Sequence, residues 1–139
     1  MKDSELRTRA KAFALHIIAV CDEVDTRKGR GVLVNQIVRS AASIGANIHE
    51  ANYAASKADF INKFQIALKE CYETDYWLTL FKDTHMITED EYKDMFAKCS
   101  KIRKLLIHYW RGSMDTQYLI HCPQNREKFL KTSELYLLG

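Results

Sequence analysis

Two arginine–histidine pairs are spaced for chemistry on a phosphodiester. Four residues separate Arg103 from His108 and six separate Arg9 from His16, so on a helix each pair can present a guanidinium and an imidazole together, as some helical-bundle ribonucleases do. Chance supplies such matches, because five histidines and eight arginines in 139 residues give about one. Lys104 also stands where those nucleases carry a polar or acidic residue. A ribonuclease using Arg103 and His108 is therefore a minor expectation, and no catalytic residue is assigned.

Other chemistry finds less support. The chain has no Walker loop, dinucleotide fingerprint, H-E-x-x-H or G-x-S-x-G. A di-iron centre in a helical bundle needs two E-x-x-H pairs facing inward, and not one occurs. Cys21, Cys71, Cys99 and Cys122 are widely spaced with no C-x-x-C pair, and three of them fall in apolar helical patterns, where a reduced thiol acts as a small hydrophobe. Neither a metal nor a cofactor is expected. Asn47, Glu70 and Asp75 fall beside apolar seams and read as interhelical hydrogen-bond partners, since a buried charge must be paired.

The elements that carry these residues are legible from apolar spacing. Four segments follow alternating steps of three and four, the signature of helices packed side by side. The first runs Leu6, Ala10, Phe13, Ile17, Val20, Val24; the second Val34, Ile37, Ala41, Ile44, Ile48, Ala51. The third runs Phe60, Phe64, Ala67, Cys71, Thr74, Leu78, Phe81, with Thr74 alone off type, and the fourth Tyr92, Met95, Cys99, Ile102, Leu106, Tyr109. Thr88 with Glu91 forms a capping box, Ser56 with Asp59 a shorter one, and RKGRG at 27 to 31 supplies glycines for the first connection. Short connections force neighbours to run antiparallel. The expected architecture is all-α: an up-down-up-down four-helix bundle over residues 1–113, followed by a C-terminal extension, 114–139. In that extension the pattern lapses and Pro123 interrupts it. A short helix around 124–131, docking on a neighbour, or loose chain are the alternatives there.

Composition agrees. One proline and five glycines in 139 residues, 47% hydrophobic and 28% charged, describe a single helical globular domain. No apolar run spans a membrane and the first residues carry acids, so a cytoplasmic protein is expected. A net charge of +3 from 21 basic and 18 acidic side chains does not announce a nucleic-acid partner, so placement decides. On the fourth helix Lys101, Lys104, His108 and Arg111 form an outward stripe flanked by Lys98 and Arg103, while acids crowd its start. Such a gradient also complements the helix dipole, so one subunit leaves solvated face and anion-binding face evenly balanced. Repetition in an oligomer would turn the stripe into a band able to hold a phosphate backbone.

Three helices carry apolar residues opposite their seams: Leu15 and Ile18 on the first, Ile66, Tyr76 and Leu80 on the third. The second presents Arg39, Ala42, Ser43 and Ala46, small enough for a close helix approach, although Ala42 and Ala46 alone would suit a wet helix surface. Taken together these faces predict an oligomer.

The run RSAASIGANIHEANYAASKADFINKFQIALKECYETDYWLTLF, residues 39 to 81, resembles the bacterial four-helix-bundle family named for the intervening-sequence protein of 23S ribosomal RNA. Its R-S-x-x-S-I-x-A-N-I-x-E helix is matched by Arg39, Ser40, Ser43, Ile44, Ala46, Asn47, Ile48 and Glu50. Its S-K-x-D-F-I, I-A-L-K-E and W-L segments are matched by Ser56 to Ile61, Ile66 to Glu70, Trp77 and Leu78. The resemblance implies a homopentamer and an RNA-binding role. It also implies kinship with the accessory variability protein of diversity-generating retroelements, which binds a reverse transcriptase and nucleic acid through a basic surface. The expected function is a non-catalytic homo-oligomer binding structured RNA through Lys98, Lys101, Arg103, Lys104 and Arg111, with a protein scaffold for a partner such as a reverse transcriptase as the rival.

Overall fold

A computed structural model describes residues 2–113, with side chains from Glu5 onward, and the expected extension 114–139 lies outside the described residues. Those residues form four α-helices and no strand: α1 (Lys2–Asp22), α2 (Gly31–Ala51), α3 (Lys57–Asp83) and α4 (Glu89–Ser113). The chain folds this way because each segment repeats its apolar residues once per turn and stops where the backbone is given another partner. Ser56 accepts from the Asp59 amide at 3.1 Å at the start of α3. The expected capping box is present ahead of α4, with the Glu91 amide donating to Thr88 Oγ1 and the Thr88 amide donating to the Glu91 carboxylate, both at 3.1 Å. His85, at φ 58°, ends α3 in the left-handed region, where the Met86 amide reaches back to the Phe81 carbonyl at 2.8 Å. Between α1 and α2, Lys28 and Gly29 both adopt positive φ, the turn that the glycine-bearing RKGRG run was expected to supply.

Each helix packs on two others. α1 lies against α2 and α4, and α3 against α2 and α4, while the diagonal pairs make no close approach. Cross-helix pairs give the sense of packing: Glu50 meets Lys63 at one end of α2 and Ser40 meets Thr74 further back, so numbers fall along α2 as they rise along α3. The same holds between α1 and α4, where Arg9 sits by Ile102 and His16 by Lys98.

The core is the predicted seam, made wider. Leu6, Ala10, Phe13 and Ile17 of α1 meet Ile37, Ala41, Ile44 and Ile48 of α2, with Phe64, Cys71, Leu78, Cys99 and Leu106 completing the centre. Leu68, Ile107 and Trp110, off the seven-residue rhythm, are buried as well, because a helix with two neighbours hides more than one narrow stripe. Val20, Val24, Val34, Phe60, Tyr92 and Tyr109, near the ends, are only partly covered. Thr74, the off-type seam residue, places its hydroxyl 2.8 Å from Ser40 Oγ, whose own proton goes to the Ile37 carbonyl. The pair therefore satisfies two polar groups inside an apolar layer. Cys21, Cys71 and Cys99 are buried free thiols; burial pushes Cys21 up to about 11, which suits the reading of these residues as small hydrophobes.

Among the described residues no helix is long and apolar enough to cross a membrane, and no group of His, Cys, Asp or Glu is placed to hold a metal ion. Ile48, fully enclosed at the α2 seam, gives a direct test of the packing. Ile48→Ala should lower the unfolding free energy by about 2–5 kcal/mol in urea, with the dependence on denaturant unchanged.

Candidate nucleic-acid interface

The outward side of α4 carries Lys101, Lys104, His108 and Arg111 at steps of three, four and three, and all four are exposed. None of them forms an ion pair among the described residues. Their charge is thus presented to solvent. Lys98, also exposed, differs: its ammonium donates to Asp94 at 2.9 Å and lies 3.2 Å from His16 Nδ1. That hydrogen bond holds the Asp94 carboxyl below the usual carboxylate range. Glu89, Asp90 and Glu91 fill the first turn, so the helix changes sign along its length in the sense its dipole favours.

Arg103 is not part of this surface. It was expected to flank the stripe and to partner His108, yet it is 2% exposed and its guanidinium is ion-paired with Asp75 of α3. It also donates to Ser100 Oγ at 3.2 Å and lies 5.0 Å from the centre of the Tyr72 ring. The cause is angular. Arg103, Ile107 and Trp110 follow at steps of four and three along the side of α4 turned to α3, and all three are buried. Burial pushes the Asp75 carboxyl upward against the pull of Arg103, as expected for a charge taken out of water beside one counter-ion. His108 stays outside, so the proposed Arg103–His108 pair does not assemble. In the other pair each member has its own partner: Arg9 is held by Glu5 at 3.0 Å, and His16 faces Lys98 and Asp94.

The reading of Asp75 and Glu70 as interhelical partners fits, since Asp75 holds Arg103 and Glu70 lies 3.5 Å from Arg39. Asn47 behaves otherwise. Its amide nitrogen bonds within α2, to the Ser43 carbonyl at 2.8 Å and to Ser43 Oγ at 3.2 Å.

The residues expected at an oligomer contact fall along the α1–α2 side, along the α2–α3 side and at the outward corner of α3. On the α1–α2 side, Ala42, Gly45 and Ala46 of α2 and Ala10 and Ala14 of α1 line a groove of about 370 Å³. Arg7, Lys11 and His49 line it with longer side chains, and Ile18, 40% exposed, continues the α1 side by helical spacing. Leu15 is 57% exposed next to it. On the α2–α3 side, Arg39 is ion-paired with both Glu70 and Glu73, and Glu73 accepts from Trp77 Nε1 at 3.1 Å. Ser43 and Ile66 are half-buried there, whereas half-buried Leu80 and Tyr76, 58% exposed, stand at the outward corner of α3, Tyr76 four residues after the α4-facing Tyr72 and three after the α2-facing Glu73. Burial first, and then Glu73, raises the Glu70 carboxyl above its ordinary value.

With this geometry in place, comparison with known proteins is informative. Residues 2–108 match the family model described as the 23S rRNA-intervening sequence protein. The chain belongs to that family. Among solved structures, the bundle resembles a Bacteroides thetaiotaomicron protein of unknown function from the S23 ribosomal protein family, with a TM-score of 0.73 and 42% identity over 80% of this chain and 99% of that one. No curated protein matches it. The family match takes in Lys98, Lys101, Lys104 and His108 but ends before Arg111.

Arg9 and His16 are part of the basic surroundings that the sequence reading assigned only to a nuclease pair. Arg9 and Lys98 flank a shallow hollow of about 160 Å³ floored by Ala12, Phe13 and Ile102, so the cationic surface passes from α4 onto α1. The signal was available in the seven-residue spacing of Arg9 and His16, which sets both on one side of α1. The buried and exposed bases should behave differently when removed. Arg103→Ala, which leaves Asp75 uncompensated, should cost about 3–5 kcal/mol in urea unfolding, whereas Lys101→Ala should stay within about 0.5 kcal/mol of the parent.

Proposed function

We propose that the protein is a non-catalytic homo-oligomer that binds structured RNA through the α4 face, with Lys101, Lys104 and Arg111 contacting phosphates and Lys98, already paired with Asp94, bordering them. The observation that carries this reading is the set Lys101, Lys104 and Arg111, aligned along one helix, exposed, and unpaired among the described residues. A base already held by a carboxylate gains little from a phosphate, while an unpaired one gains a partner and releases counter-ions from the nucleic acid. The family description, which names an insertion of 23S rRNA, supports RNA as the polyanion. Self-association would strengthen the binding, since each added copy would repeat the stripe and the contacts would act together. Five copies is the number that the family resemblance implies. The small and apolar residues on two sides of the bundle favour such an assembly over a lone subunit.

Two measurements test the two parts separately. In a gel shift with the RNA of the gene's own neighbourhood, the complex should weaken steeply with added salt, and Lys101→Glu with Lys104→Glu should abolish it. A shift that survives both reversals removes the α4 face from consideration. Ala46→Glu places a carboxylate on the α1–α2 side, and sedimentation of that variant should show a single 16.2 kDa subunit where the parent is larger. An unchanged mass would put the contact elsewhere.

A further inference from the structure

Tyr76 stands at the outward corner of α3 with more than half its surface exposed, and the core gains little from it. Lys69, also exposed, lies seven residues before it on the same stripe, and half-buried Tyr72 stands between them at steps of three and four. Lys69 forms no ion pair among the described residues. The two rings are steadied by their neighbours. Tyr72 has the Arg103 guanidinium 5.0 Å from its ring centre, and Arg103 is itself tied to Asp75. Trp77 packs edge-on beside Tyr76, with ring centres 5.2 Å apart.

Across the boundary, α4 brings half-buried Phe96, then Ser100 and Lys104 at steps of four, along the edge that turns toward α3. The aromatic strip is therefore bordered by an exposed lysine on each helix, Lys69 on α3 and Lys104 on α4. Carboxylates near it on α3 are already engaged: Glu73 with Arg39, Asp75 with Arg103 and Asp83 with Lys82.

Such a strip suits an unpaired nucleotide. An exposed ring beside free ammonium groups offers stacking to a base and pairing to its phosphates, whereas a duplex hides the faces of its bases and can use only the lysines. A second copy fits the strip poorly, because the α1–α2 groove is lined with Arg7 and Lys11, which carry the same charge as Lys69. Deepening the RNA-binding reading above, and resting on it, we infer that Tyr76 is a stacking platform for an unpaired base of the bound RNA, with Lys69 and Lys104 pairing to phosphates of that unpaired stretch. Tyr72 continues the platform toward α4. The RNA that fits best is a stem carrying a loop or a bulge, with the stem along the α4 bases and the unpaired base on α3.

Fluorescence anisotropy with two labelled RNAs tests the platform: a hairpin with an unpaired loop, and a duplex of the same stem sequence without one. Tyr76→Ala should weaken hairpin binding about 5- to 100-fold, the worth of one stacked base. Tyr76→Phe, which keeps the ring, should bind the hairpin as the parent does. The duplex has no free base to stack, so it should bind the parent and Tyr76→Ala alike. Because Tyr76 is exposed, the thermal melt and the sedimented mass of Tyr76→Ala should match those of the parent. Hairpin binding that survives Tyr76→Ala but is lost with Lys101→Glu and Lys104→Glu overturns the platform and keeps the α4 reading. Equal weakening of hairpin and duplex, or a changed mass, also overturns the platform, since the ring would then serve the fold or the assembly. A parent protein that binds neither RNA overturns the α4 reading, and the platform with it.

Discussion

A helix that touches two neighbours can hide only the side lying between them. In this bundle α1 and α3 both pack on α2 and α4, and the diagonals stay apart, so every helix has one inward corner and one outward corner. The inward corner takes the large residues: Phe13, Ile44, Phe64 and Leu106 are all buried. Whatever stands at the outward corner contributes little to folding the chain, and it is there that the composition departs from a plain solvated surface. α2 turns alanines outward, α3 a tyrosine, α4 lysines, each for a reason other than its own core.

Arg103 shows how strict the division is. Ile102 and Lys104 flank it in sequence, one buried and one exposed, and a rotation of one residue along α4 separates solvent from interior. Placed on the α3 side, the guanidinium cannot be solvated, so it requires the Asp75 carboxylate and the ring of Tyr72. Lys101, Lys104 and Arg111 remain unengaged among the described residues because the acids of α4 lie toward its start, Glu89, Asp90 and Glu91 in the first turn and Asp94 already paired with Lys98. A single helix thus carries a structural arginine and a row of solvent-facing bases one residue apart.

Much of this was readable from the sequence, and the limits have physical causes. The four seams, the capping box at Thr88 and the turn at Gly29 depend on neighbours within one turn or one loop, and local order reports them faithfully. Leu68, Ile107 and Trp110 escaped because the width of a buried stripe is set by how many helices press on it, which is not written in any one of them. Arg103 was misread for the same reason: its partner lies on another helix, 28 positions away. Asn47 shows the converse error, a polar residue near a seam that satisfies itself against Ser43 within its own helix. The groove between α1 and α2 could not be drawn from either helix alone, though the small residues that shape it were conspicuous in α2.

The exposed alanines of α2 and the exposed lysines of α4 stand on opposite corners, because those two helices are a diagonal pair of the bundle. Two surfaces built on diagonal helices are as far apart as a single subunit allows, so covering one of them would leave the other open to water.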